Sequence, residues 1–344
     1  MSTSGNPLIS LIIPTHERGN MLHALLLGLN LQTLPREQFE VLVVDDASQE
    51  DPSAQLQSLP LQYALTVIRQ PKQGPAAARN KALAVARGRY ILFLNDDIRA
   101  NPRLLQEHLN VQQVLQKPMA VLGSFGFPQD IRQDRLSRIL EDQGVIITTR
   151  HFQSGSRYSH QAFWTGNLSI SRQLLDEVGY FDERFQEPSH EDIELGVRLE
   201  RLKGLEVLYH AAASVDHLHP MTFPAWRKQK RMGGRNAWKV HRLHRVLGLG
   251  SLEKNGEPDR QAIEQWWQTY QQQLPMLGNL EGIIVETLTN PRFSSPPIRL
   301  NGTEFVLPRD TDAFIESAIG IFDQQEQLAG IVEAARNELS GNSL

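Results

Sequence analysis

The chain is 344 residues long, 40% hydrophobic and 22% charged, with a formal net charge of -4 and no cysteine. That length carries one large core or two smaller ones, and the slight negative balance argues against generic nucleic-acid binding while leaving room for a local basic surface. Without cysteine, disulfides, thiolate metal sites and thiol nucleophiles are excluded together. Met1 to Pro7 is small and polar rather than basic then apolar, and no stretch of about 18 apolar residues runs uninterrupted, so the expectation is a soluble cytoplasmic protein without signal peptide or membrane span. No internal repeat is visible, and the glutamine clusters near 271–273 and 324–327 are too short to count as low complexity.

Leu8 to Ile13 reads as a central strand that stops at Pro14-Thr15-His16-Glu17-Arg18-Gly19. Met21 to Leu31 is apolar at helical spacing and is closed by Gln32-Thr33-Leu34-Pro35. Phe39 to Val44 is a second buried strand ending on Asp45-Asp46-Ala47-Ser48, and Leu65 to Arg69 is a weaker third. Gly74-Pro75 opens a helix through Leu83, which Gly88 ends before a strand at 90–94. That strand delivers Asn95-Asp96-Asp97, and adjacent carboxylates are commonly relieved by Mn2+ or Mg2+ bridging to phosphate oxygens. The rival reading is a polar turn in which Asn101 caps a helix beginning at Pro102. Strand alternating with helix implies a largely parallel sheet with right-handed crossovers, so the three strand ends gather along one edge. The first turn lacks Gly-x-Gly-x-x-Gly, and no Gly-x-x-x-x-Gly-Lys-Ser/Thr occurs, which disfavours a dehydrogenase and a P-loop enzyme. Residues 119–122 form another candidate strand, and 123–163 resist assignment because Gly, Ser, Asp and Arg interrupt every apolar run.

Ser10 to Thr15, Val43 to Ser48, Gly74 to Asn80 and Phe93 to Asp97 together resemble the successive motifs of glycosyltransferase family 2, in order and in spacing. The resemblance implies the α/β GT-A fold, a Rossmann-like and mainly parallel central sheet flanked by helices. It runs to about residue 240 and sets the expected domains: 1–245 for the transferase, with 1–118 the nucleotide-binding half and 119–245 the acceptor-binding half. Residues 246–344 follow as a helical C-terminal extension.

The implied roles fall on matching positions. Thr15 and Asp46 are placed on the base and ribose, with Pro14, Glu17, Arg79, Asn95 and Asp96 lining the nucleotide diphosphate sugar. Asp97 is placed on the Mn2+ or Mg2+ ion. The family's Asp-x-Asp begins with an amide here, Asn95, which can only donate and accept hydrogen bonds around the ion. Trp164-Thr165-Gly166-Asn167 resembles the segment beneath donor and acceptor sugars, which puts Trp164, Gly166 and Asn167 against the acceptor. Glu191-Asp192 resembles the acidic pair that carries the catalytic base, assigned to Asp192 with Glu191 the alternate. His217 is preferred over His219 as the histidine that completes the metal or diphosphate site, with His219 left to the acceptor side.

Each assignment has a structural rival: a turn and helix cap for Asp45 to Ser48, a solvated helix charge for Arg79, a core or rim aromatic for Trp164. For Asp192 it is a capping box with Ser189, and for the histidines a surface role. Residues 226–245 are basic without an acid, suited to neutralising the diphosphate, attracting an anionic acceptor or touching an anionic membrane, against a plain solvated helix face. Gly248 to Pro258 reads as a linker, and 261–274 and 312–339 as helices around a Pro-rich stretch at 291–308; homo-oligomerisation, acceptor recognition and plain packing stay open for them. The resulting expectation is an inverting hexosyl- or N-acetylhexosaminyltransferase that moves sugar from a UDP-sugar, the family default, to a glycan, lipid-linked or other hydroxyl. A peripheral position at the inner membrane face is included, and nucleic acid is not a partner. The alternative is a non-catalytic nucleotide-sugar-binding or scaffold protein of the same fold.

Overall fold

A computed structural model describes residues 6–246, 248–289, 298–300, 303–305 and 311–341. The chain forms two compact units: one runs to Pro128 and resumes over Ile147–His219, the other takes Gln129–Ile146 and continues from Pro220. Within the second unit the basic helix over 223–244 packs against the C-terminal helix over 311–339. The Pro-rich stretch at 291–308 lies outside the described residues, apart from a short antiparallel pair at 298–300 and 303–305.

In the first unit the strands are β1 (Ile9–Thr15), β2 (Phe39–Asp46), β3 (Ala64–Gln70), β4 (Tyr90–Leu94), β5 (Ile98–Ala100), β6 (Met119–Gly126), β7 (Arg157–Tyr158), β8 (Asn167–Ser171) and β9 (Glu206–His217). They pair in the order β3-β2-β1-β4-β8-β6-β9-β5, with β7 on β9. β1 to β4 are mutually parallel, β6 and β9 are parallel to each other, and β8 runs antiparallel between β4 and β6.

β1, β2 and β4 read as continuous apolar runs because both faces are covered. Ile9, Leu11 and Ile13 with Val41, Val43, Leu92 and Leu94 face the helices Gly19–Leu29 and Leu104–Val114. Ile12, Leu42, Val44, Ile91 and Phe93 face the helices Pro75–Leu83, Arg172–Val178 and Glu191–Lys203. Burying a side chain of this size contributes roughly 1.5–3 kcal/mol, enough to fix the register of all three strands.

Several boundaries differ from the sequence reading. β1 continues through Pro14 and Thr15, and β6 runs to Gly126. β9 is a twelve-residue strand whose register with β6 shifts between Gly123 and Ser124. Alanines at 211–213 and polar residues on this strand hide its pattern. The helix placed at Pro102 starts at Leu104, since 98–100 pair with β9 first; Asn101 does not cap it but closes the turn before it, accepting from the Arg103 N–H at 3.0 Å.

The second unit is helical: Arg135–Asp142, Phe223–His244, Arg260–Thr289 and Thr311–Leu339, with a small hairpin at 253–258 where a linker was expected. The 260–289 helix passes Pro275 rather than ending at 274, because Leu277, Leu280 and Ile284 beyond the proline are buried with Phe314, Ile315 and Phe322. That burial offsets the backbone hydrogen bond the proline forfeits. The 223–244 and 311–339 helices touch backbone to backbone. A Cβ added at Gly234 would lie 1.9 Å from the Gln327 carbonyl oxygen, and one at Gly330 1.9 Å from that of Arg231.

This approach lets the basic helix meet the acidic one. Arg227 pairs with Glu326 at 2.5 Å and also with Glu281, Lys230 with Asp323 at 2.7 Å, Arg231 with Glu333 at 2.5 Å and Arg242 with Glu338 at 2.9 Å. Much of the positive charge of 226–245 is thus answered inside the unit. Among the described residues no helix is long and apolar enough to cross a membrane.

Gly234→Ala and Gly330→Ala should each cost about 1–3 kcal/mol through overpacking. Gly278→Ala, where nothing lies within 4 Å of the added carbon, should be neutral or gain up to about 1 kcal/mol. Urea denaturation midpoints of the three variants check this, and equal stabilities would contradict the close crossing.

Candidate functional site

The strand order turns back between β1 and β4, and in open α/β sheets the crevice beyond the carboxyl ends at such a reversal is where ligands bind. Thr15 ends β1, Asp45 and Asp46 end β2, and Asn95-Asp96-Asp97 follow β4, so the three expected strand ends do meet.

Asp96 and Asp97 are 4% and 3% exposed, and each is held from several directions. The Thr15 hydroxyl donates to Asp96 at 2.8 Å. One nitrogen of Arg18, Nη1, donates to Asp96 Oδ1 at 2.9 Å and to Asp97 Oδ2 at 2.7 Å. His217, at the end of β9, brings Nε2 within 3.3 Å of Asp97 Oδ2, its ring held between Phe125 and Phe127. The Leu218 N–H donates to the Asp97 carbonyl.

The neighbours separate the two carboxyls. Burial pushes Asp96 up, with Arg18 pulling the other way. Burial also pushes Asp97 up, but the His217 hydrogen bond and charge, then Arg18 and His219, outweigh it and hold Asp97 below the usual carboxylate range. His219 is itself pushed down by burial and by Arg18.

Asp97 Oδ1 is buried with no hydrogen-bond partner, and with Asp96 and the His217 imidazole it offers the oxygen-rich donor set that suits Mn2+ or Mg2+. Among the described residues no three His, Cys, Asp or Glu side chains are grouped closely enough to cage an ion. These residues therefore fit a cation that brings most of its ligands with it, such as phosphate oxygens, and do not make a closed protein site.

The nucleotide side is more occupied than the motifs suggest. Asp46 accepts from Gln70 Nε2 at 2.9 Å, from the Gln73 N–H at 2.8 Å and from the Gly74 N–H at 2.9 Å, so its carboxylate first of all pins the 70–74 turn. Gly74 must be glycine: its φ is +89°, and an added Cβ would meet the Gln186 carbonyl oxygen at 2.1 Å. Glu17 and Ala47 both sit at positive φ, 56° and 60°, and are laced together: Glu17 N–H donates to Ser48 Oγ and Gln49 N–H to Glu17 Oε1. Pro14 is half-buried in β1 opposite Val44.

Arg79 is not where a solvated helix charge would be, nor does it extend to the Asp96–Asp97 pair. It is 4% exposed, donates to Glu191 Oε1 at 2.8 Å and lies over the Phe181 ring. Glu191 takes the Ser189 N–H on its other oxygen.

Asp192 is half-buried at the start of the 191–203 helix and accepts from the Thr165 N–H at 3.2 Å and the Ile193 N–H at 2.8 Å. Burial first, then the charge of Glu191, push its carboxyl up to about 7, against Arg79 and the two N–H groups. The capping-box rival fails: His190, at φ 64°, precedes the helix with no side-chain cap bond, and the Ser189 hydroxyl meets His190 Nδ1 instead.

Residues 165–166 join the two walls. Thr165 holds Asp192, and the next carbonyl, Gly166, accepts from the Asn95 N–H two residues before Asp97. Trp164 is half-buried against Phe152, with ring centroids 5.2 Å apart. Asn167 faces away from the crevice: its amide donates to the Ser124 and Ala213 carbonyls and accepts from His108 Nε2, which makes it a sheet-bracing residue. His108 is fully buried and pushed down to about 4 by desolvation, so it is neutral, with Nδ1 accepting from Ser169. The sequence reading missed His108, which looks like any residue of an amphipathic helix. It also left Arg18 unassigned, although a cation three residues past Thr15 was a readable signal.

Residues 10–179, about half of the chain, match the family model described as Glycosyl transferase family 2. Validoxylamine A glucosyltransferase of Streptomyces hygroscopicus subsp. jinggangensis is 28% identical over 221 residues, covering 58% of this chain and 52% of that protein. Chondroitin synthase of Escherichia coli is 25% identical over 223 residues, covering 56% and 32% respectively. The chain spans about half the length of the first curated relatives it matches. A mannosyltransferase from Pyrobaculum calidifontis, solved in complex with GDP-Man and Mn2+, superposes with a TM-score of 0.52 at 13% identity over 98% of this chain and 88% of that one. A likeness at that identity concerns the fold alone, which is the GT-A fold.

Arg79→Met leaves Glu191 buried without its counter-charge and should cost about 3–5 kcal/mol. The Arg79→Met, Glu191→Met double variant should recover a large part of that loss in urea denaturation. A single-variant cost below about 1 kcal/mol would show that the pair is solvent-screened after all.

Proposed function

We propose that this chain, whose residues 10–179 are a glycosyl transferase family 2 domain, moves a sugar from a nucleotide diphosphate donor to an acceptor hydroxyl with inversion at the anomeric carbon. What supports the reading is two acids in unlike environments tied to consecutive residues: the Thr165 N–H holds Asp192, and the Gly166 carbonyl takes the Asn95 N–H two residues before Asp97. Asp97 is held ionised beside His217 and Arg18, and Asp192 is half-buried with its carboxyl raised to about 7. Such a split in environment is how one site runs acid–base and anion-stabilising chemistry together.

In this reading the donor lies over the ends of β1, β2 and β4. Thr15 and the strained Glu17–Ser48 corner border the base and ribose, with Asp46 holding the 70–74 turn against them. Asp96 and Asp97, with His217, take the divalent ion. When bound, Mn2+ or Mg2+ supplies Lewis-acid neutralisation of the leaving diphosphate. The acceptor hydroxyl approaches from the Thr165–Gly166 side, and Asp192 removes its proton as the oxygen bonds to the anomeric carbon and the bond to the diphosphate oxygen breaks. Glu191 is not given that role, because its carboxylate is paired with the buried Arg79 guanidinium; the two charges set the environment of Asp192. UDP is the default nucleotide. Trp164, Gly166 and His219 border the acceptor, whose class, glycan, lipid-linked or other hydroxyl, is set by side chains of the second half. The non-catalytic alternative explains Asn95 but gives no reason for a raised, half-buried carboxyl at Asp192.

Asp192→Asn should lower kcat by about 10²–10⁴-fold while donor affinity stays within about twofold. For wild type, the base is active only when ionised, so kcat/KM should rise with pH up to about 7 and level off above it. Steady-state kinetics over pH 5 to 9, with calorimetric donor binding, check both; an active asparagine variant or a flat profile would reject Asp192 as the base.

A further inference from the structure

Arg18 places a single nitrogen against both members of the acidic pair, 2.9 Å from Asp96 Oδ1 and 2.7 Å from Asp97 Oδ2. A unit positive charge thus sits on the line where a divalent ion would have to bind in order to use the two carboxylates. An ion that takes the free Asp97 Oδ1 together with Asp96 would stand beside a guanidinium 2.9 Å from Asp96 Oδ1 and 2.7 Å from Asp97 Oδ2, and the two cations would repel each other at close range. That repulsion favours release of the guanidinium when the ion binds.

The rest of the site is built so that Arg18 can leave and the acids remain. Asp96 is anchored separately by the Thr15 hydroxyl on Oδ2, and Asp97 by the Leu218 N–H on its carbonyl and by His217. The acids are about 5% and 4% exposed in their side chains, whereas Arg18 is 40% exposed, at the solvent side of the pair. It follows Glu17, whose φ of 56° turns the chain sharply after β1. Its guanidinium donates to both members of this pair. A planar guanidinium fork released here matches the oxygens of a diphosphate better than any other side chain does.

We propose that Arg18 is a displaceable counter-ion: its guanidinium holds the cation position between Asp96 and Asp97 in the free protein and moves onto the donor diphosphate when the metal arrives with it. Metal and nucleotide then bind as a coupled pair, each tightening the other, as reciprocity of binding free energies requires. Metal alone has to compete with an internal cation, while metal that comes with a diphosphate gives that cation a new partner. This rests on the glycosyl-transfer reading above.

The test measures Mn2+ affinity by the loss of the free-ion electron paramagnetic resonance signal, for wild type, Arg18→Gln and Arg18→Lys, each with Mn2+ alone and with Mn2+ plus UDP or GDP. Circular dichroism checks that each variant is folded. With Mn2+ alone, Arg18→Gln should bind about tenfold tighter than wild type, and adding the nucleotide should erase that advantage. Arg18→Lys should fall between the two, because a compact ammonium bridges the carboxylates less well and keeps the folded state if the glutamine variant does not. If the folded variants bind Mn2+ alone no more tightly than wild type, Arg18 is a fixed structural partner and the proposal fails while the transferase reading stands. If wild type takes up no Mn2+ even with either nucleotide, both fail.

Discussion

Two adjacent carboxylates at the end of a strand buried on both faces cannot keep their charges unless cations are brought to them. That constraint organises the first unit. β4 ends in Asp96 and Asp97, and β1, the turn after it and the far end of β9 all converge to answer them. Thr15 supplies a hydroxyl, Arg18 a guanidinium, His217 an imidazole clamped between two phenylalanine rings. The answer is deliberately uneven: Asp97 is favoured in its ionised form and Asp96 is not. An arrangement that balances its charges with a half-exposed side chain and leaves one carboxylate oxygen unpartnered is suited to exchange partners with a ligand.

The opposite wall solves a related problem with buried parts. Glu191 and Arg79 neutralise each other almost out of solvent, and the cost of that pair is justified by what it does to its neighbour. Burial and the neighbouring Glu191 raise Asp192, Arg79 works against them, and the Thr165 N–H orients the carboxylate. In the proposed reaction the base is thus set by the charges of two residues that pair with each other. Because Thr165 and Gly166 are consecutive, neighbouring residues hold Asp192 and the backbone just before the acidic pair.

Much of this was readable in the amino-acid order, for a physical reason. Strands covered on both faces appear as unbroken apolar runs, and where such a run meets Thr15, Asp46 or Asp96 the polar group has to sit at the sheet edge. What stayed hidden depended on distant partners. Arg79 looked like a phosphate ligand because nothing near it announces Glu191, 112 positions on. Asn167 looked like an acceptor contact, yet its amide braces Ser124 and Ala213 beside the register shift of β9, and glycine is required at 123 because a Cβ would strike that amide at 2.2 Å. The basic run at 226–245 was legible as charge, but not as charge complemented by Glu326, Glu333 and Glu338 some hundred residues later. Local pattern reports which face is buried; it does not report against what.

The central claim is that a nucleotide diphosphate and a divalent ion share the crevice between the ends of β1, β2 and β4. The most direct measurement is a crystal soaked with Mn2+ and UDP or GDP, with diffraction recorded where manganese scatters anomalously. The account predicts one strong anomalous peak against Asp97 and His217, bridged to diphosphate oxygens, with Arg18 turned from the acids toward the phosphates. Manganese or nucleotide bound anywhere else on the molecule, with Arg18 still between Asp96 and Asp97, would contradict it.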